Sequence, residues 1–192
     1  MPTEDARRWN ARYSDQGGRY ARFTRPRPFL LRCAPHLPGS GLALDVAMGL
    51  GGNAGFLLSR GLRVIGVDIS ITALRSARER LPGLMVYLAD LTGAVLPGET
   101  FDVILNFYYL QRDLWPQYER ALRPGGLLIF ETLTRGMQHL MPEVDPVYLL
   151  APGELKSAFP GLETLEYAES WTESDSGHPR ASASLAARKP LV

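Results

Sequence analysis

From residue 42 onward, short apolar runs alternate with amphipathic ones along the chain. The runs LALDVA (42–47), LRVIGVD (62–68), LMVYLAD (84–90), FDVILNF (101–107) and GLLIFET (126–132) are each of strand length and rich in branched or aromatic side chains. Near-continuous apolarity of this kind suits strands covered on both faces. Between them the pattern predicts helices over 53–60, closed by Gly61, over 71–81, with Ser70 as N-cap, and over 114–122, with Asp113 as N-cap and Pro116 in the first turn. Strands and helices in strict alternation make βαβ units around a parallel sheet. Ahead of them, residues 4–13 place Trp9 and Tyr13 on one helical face, and a second helix follows from Pro28 through Ala34. Residues 133–151 mix Met, Tyr, Gly and Pro without period and read as a long surface loop or lid, followed by a short helix between Pro152 and Pro160. Residues 162–171 and 180–188 alternate as strands around the turn TESDSGHP, which adds an antiparallel hairpin.

The expected fold is therefore α/β: a doubly wound, mostly parallel seven-stranded sheet with an N-terminal helical lead-in and a C-terminal antiparallel hairpin. One domain over 1–192 is expected, divided into lead-in (1–41), ligand-binding core (42–132), and lid loop with hairpin (133–192), since 192 residues suit a single core. A hydrophobic content of 45% and a net charge of +1 exclude a disordered polyampholyte and give no global electrostatic case for nucleic acid or membrane. The single Cys33 permits no intramolecular disulfide and is expected to be a packed thiol. No Cys/His cluster has zinc spacing, so no metal is expected. The charged start MPTEDARRWNARY lacks the apolar core of a leader, and no apolar run approaches membrane-spanning length, so a cytoplasmic protein is expected.

Chemistry concentrates in ALDVAMGLGGNAGFLLSRG (43–61), where a strand ending near Asp45 feeds a helix through Gly49, Gly51, Gly52 and Asn53. Such a junction offers the helix's first N–H groups to a ligand at the carboxyl edge of a sheet. The glycines alone also fit a dinucleotide fingerprint. Carboxylates separate the two readings: Asp45, Asp68 in GVDIS and Asp90 in LADLT stand at the ends of three successive strands. A dinucleotide accounts for Asp68 and leaves the other two idle. A ligand with a cationic end, a ribose diol and an exocyclic amine uses all three, as S-adenosylmethionine does.

Here the chain resembles the class I S-adenosylmethionine-dependent methyltransferases, a Rossmann-like group, and within it the small bacterial enzymes of the tellurite-resistance type. The motif DVAMGLGGNA (45–54) and the RPGG (123–126) before the fifth strand carry the likeness. The resemblance implies that the loop from Asp45 to Gly51, including Ala47 and Gly49, holds the methionine portion. It also implies Asp68 on the ribose, Ile69 on the adenine face, Asp90 and Leu91 on the adenine edge, and Asn106, Phe107 and Tyr108 beside the transferable methyl. Trp9 and Asn53 complete the expected cofactor set. The chain departs from the usual motif at Ala47, where many relatives have glycine, and at Met48 and Gly52, where Cys and Arg are common; loss of the arginine is expected to alter acceptor-side electrostatics.

No catalytic dyad stands out. His139 is a candidate general base against a surface role, and Glu131 and Thr132 either face the acceptor or bond the neighbouring loop. Asn106-Phe107-Tyr108-Tyr109 lacks both prolines of the amine-methylating signature. The expected activity is in-line methyl transfer to a small-molecule acceptor, which rests on alignment and exclusion of water. Met137, Met141, Tyr148 and Leu149 are expected to form an apolar acceptor pocket. The rival readings are a non-catalytic S-adenosylmethionine-binding module and a nicotinamide-dependent oxidoreductase. The latter lacks a Tyr-x-x-x-Lys pair, since lysines occur only at 156 and 189.

Overall fold

The structure, a computed structural model, describes residues 3–14, 21–173 and 177–191. Seven strands follow the order β3-β2-β1-β4-β5-β7-β6 in one sheet. By contact the chain divides into two compact units, Met1–Ala94 and Val95–Val192.

The first unit contains α1 (Glu4–Ser14), α2 (Pro28–Arg32), β1 (Leu42–Val46), α3 (Gly52–Ser59), β2 (Arg63–Asp68), α4 (Ile71–Arg80) and β3 (Met85–Leu88). All three strands are parallel, with Asp45 opposite Gly66 and Asp68 opposite Leu88. Gly66 is glycine because Met48 packs there: a Cβ would lie 2.0 Å from the Met48 sulfur. Gly51 caps α3 in the left-handed region at φ 73°, and Gly61 ends the following turn at φ 91°, so the expected helix is present with its predicted stop. Ser70 caps α4 as expected, its side chain accepting from the Ala73 N–H at 3.2 Å.

The second unit contains β4 (Phe101–Phe107), α5 (Trp115–Ala121), β5 (Leu122–Leu133), α6 (Glu154–Ser157), β6 (Glu163–Glu173) and β7 (Pro179–Arg188). β5 lies parallel to β4 and antiparallel to β7, which pairs with β6 in the expected hairpin. Trp115, Tyr118, Phe130 and Phe159 pack ring against ring under α5.

Three local expectations are corrected. Asp113 is not the cap of α5: a 3₁₀ turn, Arg112–Leu114, precedes the helix and Leu114 takes the cap position. RPGG is not a turn before β5 but a bulge inside it. Leu122 already pairs with Phe101, and the register resumes at Val103 with Leu127, Gly125 sitting at φ 77°. Residues 133–151 form the expected long loop, but its apolar side chains do not line a common acceptor pocket. Met137 and Leu149 are buried with Ala181 in a small core of their own, with Met141 and Val144 against it, while Tyr148 is exposed. The loop is closed by a Thr134–Leu150 bridge, and Arg112 donates to the Val147 and Leu149 carbonyls at 2.8 and 3.1 Å. Long apolar side chains in a loop this size find burial locally.

Candidate functional site

In the first unit the backbone leaving β1 turns through three left-handed residues, Ala47 (φ 50°), Gly49 (φ 59°) and Gly51 (φ 73°). Ala47 adopts a backbone conformation that favours glycine, at a steric cost. Asp68, at the end of β2, holds the turn: its carboxylate accepts from the Gly49 N–H at 2.7 Å and the Ser70 N–H at 2.8 Å. Burial pushes the Asp68 carboxyl up from its ordinary value, and the N–H groups of Ser70, Gly49 and Ile69 oppose that shift. Asp45 is 1% exposed, and burial, aided by the charge of Asp68, raises its carboxyl well above the usual range against the Ala54 N–H. Its Oδ2 is buried without a hydrogen-bond partner among the described residues. An orphaned carboxylate oxygen is costly, and a cationic donor resolves it.

Asp90 follows the same rim: Ala89, one residue earlier, donates its N–H to the Asp68 carbonyl at 3.1 Å. Its side chain is exposed and accepts from the Thr92 N–H at 2.9 Å; Ile69 is half-buried and Leu91 buried. Asp45, Asp68 and Asp90 thus lie along the carboxyl ends of neighbouring parallel strands, where open α/β sheets bind ligands.

Helix α1 joins this rim through a residue the sequence did not single out. Asn10 accepts through Oδ1 from the Ser70 hydroxyl at 2.8 Å and the Thr72 N–H at 3.2 Å, a second cap on α4. The Tyr13 hydroxyl stands over Gly49, 2.8 Å from where a Cβ would be, and Trp9 stacks on Tyr13 at 5.8 Å. The Asn53 carboxamide accepts from the Arg27 N–H at 2.9 Å, so it pins the lead-in to α3. Gly52 has a steric reason: a Cβ there would lie 2.3 Å from the Arg25 carbonyl oxygen, so no side chain has room while this segment crosses α3.

In the second unit Asn106 is buried and occupied at both ends, donating to the Tyr109 carbonyl at 2.7 Å and accepting from the Tyr118 hydroxyl at 2.9 Å. Burial pushes the Tyr118 phenol well above its ordinary value. Tyr108, next along, is left-handed at φ 57°. Its N–H donates to the Glu131 carbonyl at 2.8 Å and its hydroxyl to the Glu131 carboxylate, so Glu131 bonds the loop. Arg180, not singled out by the sequence, donates to the Tyr108 hydroxyl at 2.7 Å. Thr132 and Cys33 are buried, whereas His139 is exposed.

Strand order, glycine loop and acidic strand ends together are those of a Rossmann-like methyltransferase fold. The family described as "Methyltransferase domain" matches residues 43–126. A trans-aconitate 2-methyltransferase of Paracidovorax citrulli is 37% identical over 124 residues, 58% of this chain and 47% of that protein. A malonyl-[acyl-carrier protein] O-methyltransferase of Salmonella typhimurium is 32% identical, over 48% of this chain and 39% of the relative. The chain thus spans about half the length, or less, of these relatives. Among solved structures, TehB from Haemophilus influenzae superposes with a TM-score of 0.71 at 19% identity, covering 85% of this chain and 62% of that one. Among the described residues no helix is long and apolar enough to cross a membrane.

Proposed function

We propose that this chain binds S-adenosylmethionine on the rim from Asp45 to Leu91 and directs its methyl group onto a small-molecule acceptor. The observation that carries the cofactor reading is the buried, unpartnered Asp45 Oδ2 beside a glycine turn held by Asp68. Asp45 supplies the acceptor that an α-ammonium group requires. Ala47, Gly49 and Gly51 bring bare backbone to the ligand, and Asp68 turns toward a ribose diol by sharing its bonds to Gly49 and Ser70. Ile69, Asp90 and Leu91 supply an apolar face and an acidic edge for the base. Trp9 and Tyr13 cover the turn, and Asn53 keeps the lead-in in place.

When bound, the cofactor supplies an activated methyl on a good leaving group, so the protein's part is to align the acceptor and exclude water. The acceptor in the name of the Paracidovorax citrulli relative, trans-aconitate, is a small carboxylic acid, which supports a small acid as acceptor here.

Isothermal titration of the full chain with S-adenosylhomocysteine tests the reading. Binding is expected at one site per chain, weakened roughly 10- to 100-fold in Asp68→Ala, as loss of charge-assisted hydrogen bonds implies. Equal affinity in both proteins sinks the assignment of this rim.

A further inference from the structure

Between β1 and α3 the chain reverses over Met48–Gly51 through bonds from three directions. The Met48 N–H donates to the Val67 carbonyl at 3.0 Å, the Gly49 N–H to the Asp68 carboxylate and the Gly51 N–H to the Met48 carbonyl at 3.2 Å. The Leu50 carbonyl accepts from the guanidinium of Arg80, 30 residues further along at the end of α4. One peptide unit, Leu50–Gly51, is therefore pinned at both ends, its carbonyl by Arg80 and its N–H by Met48. Only the second pin is local. Arg80 reaches the turn because its neighbours on α4 pack there: a Cβ on Gly51 would lie 3.2 Å from that of Ala77, and one on Gly55 3.3 Å from the Leu81 side chain.

What the distant pin opposes is rotation of that peptide. Glycine carries no Cβ and Gly51 stands at φ 73°, so the Leu50–Gly51 plane can turn over at little steric cost. Turned over, it would set the Leu50 carbonyl against the Met48 carbonyl, open the turn and scatter the donors on either side. As held, those donors are gathered. Leu50 is 7% exposed and its N–H has no partner among the described residues, and the first N–H groups of α3 follow it. Converging backbone N–H groups of this kind attract a carboxylate.

We propose that Arg80 is a positioning residue for the cofactor, holding the turn through the Leu50 carbonyl so that its N–H groups meet the carboxylate of the methionine end. This rests on the reading of the rim given above. Asp45 takes the ammonium group of that end, and Arg80 governs the carboxylate beside it through the turn. A cation at the end of α4 also suits the helix dipole, but a dipole partner needs no bond to another segment.

The test titrates the full chain calorimetrically with S-adenosylhomocysteine and with its decarboxylated analogue, S-adenosyl-3-thiopropylamine, which keeps the adenosine, the sulfur and the ammonium group. In Arg80→Ala the dissociation constant of S-adenosylhomocysteine should rise roughly 10-fold while that of the analogue stays within about twofold. Arg80→Lys, which keeps a cationic donor, should recover part of the loss. If the alanine variant fails to fold, Arg80→Met keeps the apolar stem and removes the donor, and the same split is expected there. Equal weakening of both ligands marks a general loss of structure, and unchanged affinity for S-adenosylhomocysteine marks an idle contact; either result overturns the proposal and leaves the rim reading standing. Failure of the parent to bind S-adenosylhomocysteine overturns the rim reading and this proposal with it.

Discussion

A carboxyl group as thoroughly buried as Asp45 leaves water at a cost that falls on its charged form alone, and Asp68 shares that burden. Both groups are raised in the folded state, so their contribution to stability is fully present below the unfolded carboxylate range. It is lost as pH rises through the folded values. Replacing Asp45 by Asn removes that loss, so the melting temperature of Asp45→Asn relative to the ligand-free parent should rise as pH rises above the ordinary carboxylate range. A cationic ligand end pairing with Asp45 favours the ionised form, so S-adenosylhomocysteine should bind with release of protons, seen as a dependence of the titration heat on buffer ionisation enthalpy. A melting temperature of Asp45→Asn that falls relative to the parent as pH rises contradicts this account. Ala47 makes a second point at this scale. Its left-handed backbone, φ 50°, costs a Cβ-bearing residue roughly 1–2 kcal/mol, more than the ~0.5–1 kcal/mol of chain entropy that glycine adds. Ala47→Gly should leave the protein as stable or up to about 1 kcal/mol more stable in urea unfolding. Residue-scale chemistry of this kind was legible in the sequence where residue type encodes geometry. The glycines of the turn and the carboxylates at strand ends were visible for that reason. Whether Asp45 has a partner was not, because burial and hydrogen bonding belong to the surroundings.

Elements depend on contacts that close between distant segments. Helix α4 is capped twice, by Ser70 from within and by Asn10 from α1, and only the first cap has a sequence signature. Helix α3 begins under the carbonyl of Arg25, and this crossing demands glycine at position 52. Gly52→Ala forces backbone against backbone and should destabilise the protein by about 1–3 kcal/mol, measured as a shift in urea midpoint at constant slope. A variant as stable as the parent would show that the lead-in does not cross α3 here. The 134–150 segment is misread from sequence for a related reason. Its apolar residues have no helical or strand period, yet Met137, Leu149 and Ala181 bury one another because β7 returns beneath them. In the same way the Asp113 cap is plausible locally but loses to a 3₁₀ turn anchored by Arg112, whose guanidinium bonds Val147, Leu149 and Glu154.

For the molecule as a whole, a ligand that binds only the folded state adds stability by mass action, about 2.7 kcal/mol at a hundredfold excess over its dissociation constant. In a chain of 192 residues this corresponds to a rise in melting temperature of roughly 5–10 °C with S-adenosylhomocysteine. Backbone amides of residues 45–54 and 68–72 should gain the strongest protection from hydrogen exchange; protection confined to other segments excludes the proposed rim. The sequence by itself determined the alternation of strands and helices, the glycine turn after β1, the acidic strand ends and the terminal hairpin. Each is a matter of local periodicity or of the backbone angles a residue type permits. Only the tertiary structure decided that Asn10 caps α4, that Asn53 holds Arg27, that Met137 packs with Ala181 and that Arg180 meets Tyr108. Such partners are far apart along the chain, and a side chain's hydrogen bonds and burial are set by what the fold brings beside it, which no short window of sequence contains.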